Sequence, residues 1–498
     1  MSMINLLEKL NIKNYTLYSE NISKVDYING NKNGKLVLVT SISPTDSGEG
    51  KTTTSIGLVD SLNKLGKLTI GSLREPSMGP VFGKKGGATG SGKASLKDDT
   101  RINMNFTGDF HAITYANNLI CAVIDNHIYQ GNELGIDKIN FNRCLDVNDR
   151  SLRHVIINGK ETSFVITPAS EIMSIIGLSE TIDDLRNNLD NILIGYTKDN
   201  KEIYLKELNM TDSLLYVLED AFKPNLVSTL YDNPILVHTG PFANISYGSS
   251  SIRSIKMGLS LSDYLITEAG FGSDTGAIKF IDILCRKGNI YPDIIVLNIT
   301  IKALKYHGEN DLVKGLDNLE YHIKNMSKFT DNLIISLNKF DNDTIEEISL
   351  IKDYLDKYNL KLCISTMHSD GEDGCIELAN EIINSKENTK HFEIYNIEDN
   401  IYTKIDKIKD MFNAKDIVYS DEIKNKLDNI DKNLPICVCK TPYSISDNEK
   451  LINYPKDFTM TITDVKVYNG AGYIVLYMGN VLTMPGLSKD SNYLNMKY

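Results

Sequence analysis

No stretch of this 498-residue chain carries the roughly 20 consecutive apolar residues that a membrane-spanning helix needs. Its start, Met1-Ser2-Met3-Ile4-Asn5, lacks the basic segment followed by an apolar one that marks an export signal. These two absences predict a cytoplasmic protein with no membrane partner. Positive charge is also in short supply: 53 basic residues against 65 acidic ones leave a net charge of -12. No global field therefore draws phosphate backbones, and nucleic acid is excluded as an expected partner. Paired cysteines are missing too. Cys121, Cys144, Cys285, Cys363, Cys375, Cys437 and Cys439 are scattered without a CxxC spacing, which argues against a zinc site or a disulfide framework. Cys437-Val438-Cys439 reads as two buried thiols on one strand face. There is no tryptophan, no internal repeat and no low-complexity tract; heavy use of Asn, Lys and Ile reflects genome composition.

What is present suits a large core, since 41% of the residues are hydrophobic. Lys35 to Val39 is a short apolar run that ends in a Gly- and Ser-rich turn, Ser55 to Leu65 has helical spacing, and Lys67 to Leu73 reads as a strand. Strand, loop, helix, strand is the βαβ unit of a parallel sheet with helices on both faces. Further strands are expected at Pro234 to Val237, Tyr264 to Ile266, Ile294 to Leu297, Leu333 to Leu337 and Leu362 to Ile364, with a helix over Asp343 to Tyr358. The fold class is thus α/β of P-loop type, a mainly parallel sheet flanked by helices with smaller additional α/β domains. Residues 1–300 are expected to form a large nucleotide-binding domain with an excursion near 150–225, 301–420 a second α/β domain, and 421–498 a small C-terminal one. The excursion holds a helix candidate at Glu171 to Leu178 and a hairpin candidate at Tyr196 to Tyr204, and the last domain turns at Asn469-Gly470-Ala471-Gly472.

Thr45-Asp46-Ser47-Gly48-Glu49-Gly50-Lys51-Thr52, with Thr53, is a variant Walker A loop in which Thr45 replaces the first glycine. The chemistry is retained. Glycines let backbone N–H groups approach phosphates, the following helix presents its positive end, Lys51 reaches terminal phosphates and Thr52 is placed to ligate Mg²⁺. A glycine turn with a helix cap is the structural alternative. Asn338-Lys339-Phe340-Asp341 spells the NKxD pattern by which many GTPases read guanine, although a capped strand-to-helix turn writes the same letters.

Beyond the loop, several long strings resemble the formate–tetrahydrofolate ligase family: Arg74-Glu75-Pro76-Ser77-Met78-Gly79-Pro80, Lys85-Gly86-Gly87-Ala88, Asn105-Phe106-Thr107-Gly108-Asp109-Phe110-His111-Ala112, Thr267-Glu268-Ala269-Gly270-Phe271-Gly272 and Lys440-Thr441-Pro442-Tyr443-Ser444. The resemblance runs over nearly the whole chain. It implies condensation of formate with tetrahydrofolate at the expense of MgATP, through formyl phosphate. On that model Lys51 binds terminal phosphates, Thr52 helps hold Mg²⁺, and Arg74 clamps formate and the acyl phosphate with its planar fork. Glu75 lies beside it. Asp109 and His111 either orient substrate or accept a proton, or simply cap a helix. Phe271 and Phe340 match the family's pterin platform. The resemblance also implies a homotetramer and a monovalent cation.

The chain departs from the family at places expected to face the site. Met367, in Ser365-Thr366-Met367-His368, stands where the family has tryptophan, as one wall of the pterin slot. The run Gly90-Ser91-Gly92-Lys93-Ala94-Ser95 through Thr100-Arg101 replaces aromatic and acidic positions, and Tyr247, Ser250 and Ile278 replace His, Asn and Glu. Two enzyme readings follow: a working ligase of a divergent branch, or a paralogue that joins another carboxylate or amine acceptor. A regulatory GTPase is the third.

Overall fold

The computed structural model describes residues 2–84, 87–430, 433–479 and 481–496; Lys85 and Gly86 of the family strings lie outside the described residues. Ten strands form one sheet: β1 (Tyr15–Leu17), β2 (Ile22–Val25), β3 (Lys35–Ser41), β4 (Thr69–Leu73), β5 (Asn225–Ser228), β6 (Pro234–Val237), β7 (Tyr264–Glu268), β8 (Ile294–Ile299), β9 (Leu333–Asn338) and β10 (Leu362–Ser365), in the order β1-β2-β5-β6-β4-β7-β3-β8-β9-β10. From β6 to β10 every pairing is parallel. The β1, β2 and β5 edge is antiparallel.

Apolar runs become central strands here because both faces are covered. Along β3, Leu36 and Leu38 enter one core while Val37 and Val39 enter the other. In β8, Ile295 and Leu297 join the first core, and Ile294 and Val296 the second. This is the period-two alternation of a pleated strand, read through two helical layers instead of one wet and one dry face. The second core is closed by Ile56, Leu58, Val59 and Leu62 of the helix Lys51–Lys64 and by Leu378, Ala379 and Ile382 of the helix Ile376–Ile383. The expected strands and helix are therefore present to within a few residues.

The boundary expected at residue 300 does not separate two sheets. β9 hydrogen-bonds onto β8 and β10 onto β9, because their apolar runs need the same two helical layers. Around the expected excursion, Ile136–Ile139, Leu193–Thr197 and Glu202–Tyr204 make a separate three-stranded sheet, whose Ile136, Ile194 and Ile203 join the same core as Leu36 and Leu38 of β3. Its hairpin pairs Tyr196 with Glu202. A C-terminal sheet of β11 (Asp416–Tyr419), β12 (Ile436–Cys439), β13 (Thr459–Tyr468) and β14 (Tyr473–Met478) runs in the order β11-β13-β14-β12. Lys440, just after β12, makes a fully buried ion pair with Asp274 at 2.6 Å, tying this sheet to the turn beyond β7. All seven cysteines are buried free thiols. Among the described residues no helix is long and apolar enough to cross a membrane.

Candidate active site

The carboxyl ends of β4, β7, β3, β8 and β9 lie side by side, and the loop from Ile42 to Gly50 leaves the middle of them. Open parallel sheets hold ligands at that edge. Gly48 and Gly50 take φ of +72° and +73°, the left-handed region that glycine enters without cost. At Gly50 the need is also steric, since a Cβ there would lie 2.4 Å from Asn338 Nδ2. Glu49 folds inward: its carboxylate accepts from Thr45 N–H at 2.8 Å and from Thr45 Oγ1 at 3.0 Å. Asn298 Nδ2 donates to the Glu49 carbonyl at 2.5 Å. Thr45 is therefore part of the loop's internal brace, which accounts for a threonine where a glycine is usual. Asp46, Ser47 and Gly48 form the exposed rim, with Ser47 Oγ accepting from Lys302 Nζ at 2.6 Å.

The helix that follows has no side-chain cap at Gly50. Its first N–H groups, from Lys51, Thr52 and Thr53, are left for an external acceptor at the positive end of the helix. Lys51 Nζ donates to Ser41 Oγ at 3.2 Å. Burial pulls its pKa below the ordinary lysine value, opposed by the carboxylates of Glu268 and Glu49. Thr52 Oγ1 donates to Glu268 Oε2 at 2.9 Å, and Arg74 lies 3.8 Å from the other oxygen of that carboxylate. Arg74 also donates to the Pro241 carbonyl at 3.3 Å, yet its Nε is buried without a partner. Its fork keeps donors for an oxyanion and rests on Gly270, where a Cβ would come within 2.9 Å of Nη1. Lys51, Thr52, Arg74 and Glu268 thus form one cluster of alternating charge.

Behind Arg74 the chain buries a second cluster. Lys24, on β2, reaches both oxygens of Asp109 at 2.7 and 2.8 Å, and Asn225 Nδ2 adds a bond at 2.9 Å. Glu75 faces Asp109, and burial followed by that neighbouring carboxylate pushes its pKa well above the usual range. That shift favours the protonated form of Glu75, and Lys24 is the cation held against the pair. Asp109 opens the 21-residue helix Asp109–Tyr129, on which His111 is exposed.

The aromatic positions divide. Phe271 sits just past β7 at φ +60° and half-buried, and Phe340, just past β9, is 49% exposed. Met367 is 0% exposed, packed so closely on the helix Lys51–Lys64 that a Cβ at Gly57 would meet Met367 Cβ at 2.6 Å. It offers no surface to a flat ring, so the wall expected from it is a floor beneath the helix. The exposed members of that turn are His368, Ser369 and Asp370. Met367→Trp should accordingly lower stability by about 1–3 kcal/mol through overpacking. Denaturant midpoints would show this; an unchanged midpoint would mean that the turn swings outward.

The two altered segments meet in space. Lys93 N–H donates to the His368 carbonyl at 2.9 Å, and Ser91 Oγ lies 3.0 Å from Thr53 Oγ1. The Gly90–Ser95 hairpin is thereby laid over the first turn of the helix after the loop. Tyr247, Ser250 and Ile278 are instead all buried, Tyr247 close enough to Arg74 to feel its charge. Asn338 turns inward to the Glu49 carbonyl at 3.5 Å, as a brace, while Asp341 is exposed.

A model of the formate–tetrahydrofolate ligase family matches residues 2–498. The chain belongs to that family. It is a carbon–nitrogen ligase by membership, in a family that uses ATP and tetrahydrofolate. For such a ligase the residues missed in sequence reading are Glu268, Asn298 and Lys24. Glu268 and Asn298 carried a usable signal: each is a polar residue near the carboxyl end of an apolar parallel strand. Lys24 carried none, because its partner Asp109 is 85 residues away.

Proposed function

We propose that the chain joins formate to tetrahydrofolate through formyl phosphate, with ATP seated on the loop Thr45–Gly50. The carrying observation is the uncapped helix start with Lys51, Thr52, Glu268 and Arg74 around it. Mg²⁺ favours a few hard oxygen ligands, with water and phosphate filling the rest; the Thr52 hydroxyl beside the Glu268 carboxylate suits that role. Bound there, the ion would neutralise phosphate charge.

In the first step a formate oxygen attacks the γ-phosphorus, the bond to the bridging oxygen breaks, and ADP leaves. Lys51 and the helix N–H groups stabilise the transferring phosphoryl charge, and the open donors of Arg74 hold the carboxylate in line. In the second step N10 of tetrahydrofolate attacks the formyl carbon, phosphate leaves, and the amine loses its proton. Asp109, held by Lys24 and Asn225, fixes Glu75 and the start of the helix Asp109–Tyr129 beside the site. Phe271 and the exposed Phe340 supply flat surface for the pterin. The joined segments at Lys93 and His368 support the second reading, an altered acceptor.

ADP release should require MgATP, formate and tetrahydrofolate together, with acid converting the product to its methenyl form. Formate-dependent ADP release without formyl transfer would point to another acceptor. Glu268→Gln keeps the Thr52 bond but removes the charge, and should raise the Mg²⁺ needed for half-maximal rate by about 10-fold. A Mg²⁺ titration checks it; an unchanged requirement would remove Glu268 from the metal's surroundings.

A further inference from the structure

Ser43, at the start of the phosphate loop, has both backbone polar groups held by imidazoles. Its N–H donates to His322 Nε2 at 2.9 Å, and its carbonyl accepts from His307 Nε2 at 2.8 Å. A backbone N–H only donates, so Nε2 of His322 is unprotonated and the neutral ring carries its proton on Nδ1. From there it donates to Ser273 Oγ at 2.7 Å. His307 is the opposite tautomer, because its Nδ1 accepts from Asn453 N–H at 3.2 Å. Both rings are buried. Burial pulls His322 down to about 4, against Asp274 and alongside His307 and Lys440.

A histidine satisfied in a core is usually only packing. This one bridges two pieces of the site. Ser43 opens the phosphate loop, and Ser273 ends the turn begun by Phe271, whose carbonyl also accepts from Ser41 Oγ at 3.1 Å. Phe271 has φ +60°, a conformation that a bulky residue keeps only when its surroundings impose it. His322 is carried by the 15-residue helix Leu312–Met326, which gives both bonds a rigid origin.

We propose that His322 is a positioning residue that sets the phosphate loop with one ring nitrogen and the Phe271 turn with the other. This rests on the reading above, in which ATP occupies the loop and the pterin meets Phe271. Glutamine places its amide near the Nε2 position and keeps a partner for Ser43; asparagine places its amide near Nδ1 and keeps one for Ser273. His322→Gln should therefore raise KM for tetrahydrofolate by about 10-fold with KM for ATP within about 2-fold, and His322→Asn should do the reverse. Ser273→Ala, which cuts only the Phe271 side and leaves the ring in place, should reproduce the glutamine pattern and carries the test if a His322 variant fails to fold. Wild-type protein is assayed alongside. Wild-type turnover with this split supports the proposal, whereas variants that shift both constants together, or neither, overturn it. Wild-type protein without formyl transfer overturns the functional reading and the proposal with it.

Discussion

Lys51→Ala is expected to lower kcat by about 10³-fold while nucleotide affinity falls far less, because the lost interaction grows as charge moves onto the transferring phosphoryl group. The helix N–H groups and the left-handed glycines that cradle phosphate remain in place in this variant. Only the ammonium is gone, and water that enters in its place brings no positive charge. Steady-state rates with ATP, formate and tetrahydrofolate, set beside the affinity for ADP measured by calorimetry, would separate the two effects. A kcat within about 3-fold of wild type would show that Lys51 does not reach the phosphates.

Arg74→Lys keeps the charge and removes the fork, so it isolates geometry. Formyl transfer is expected to drop by about 10²-fold, with a raised KM for formate and ATP affinity little changed. The reason lies in how Arg74 is seated: its guanidinium lies on Gly270 with Nε unpartnered and one nitrogen near Glu268. An ammonium on a four-carbon stem cannot present two parallel donors from that seat. A lysine variant as active as wild type would mean that charge alone is needed and that the fork is packing.

Much of this was readable in the residues. The run Leu36 to Val39 reads as a strand because four apolar residues in a row suit a strand buried on both faces, and the structure divides those four between two cores. Lys51, Thr52 and Arg74 stand out in the sequence because each sits in a long family-like string, and the structure brings them together around Glu268. Met367 shows the opposite case. A string comparison assigned it a wall of the pterin slot, but exposure depends on what packs above a residue, and here that is Gly57, over three hundred positions earlier in the chain. The burial of Tyr247, Ser250 and Ile278 was hidden for the same reason.

By itself the sequence determined the class of fold, the glycine loop and the helix behind it, since these follow from local periodicity and from backbone conformations that only certain residues adopt. It also determined the family, through strings distributed along nearly the whole chain. The tertiary structure alone decided that Glu268 stands between Thr52 and Arg74, that Lys24 balances Asp109, that the Gly90–Ser95 hairpin meets His368, and that His322 touches both sides of the site. Strands adjacent in a parallel sheet are joined by long crossovers, so residues that share a charge or a hydrogen bond at its carboxyl edge lie far apart in the chain.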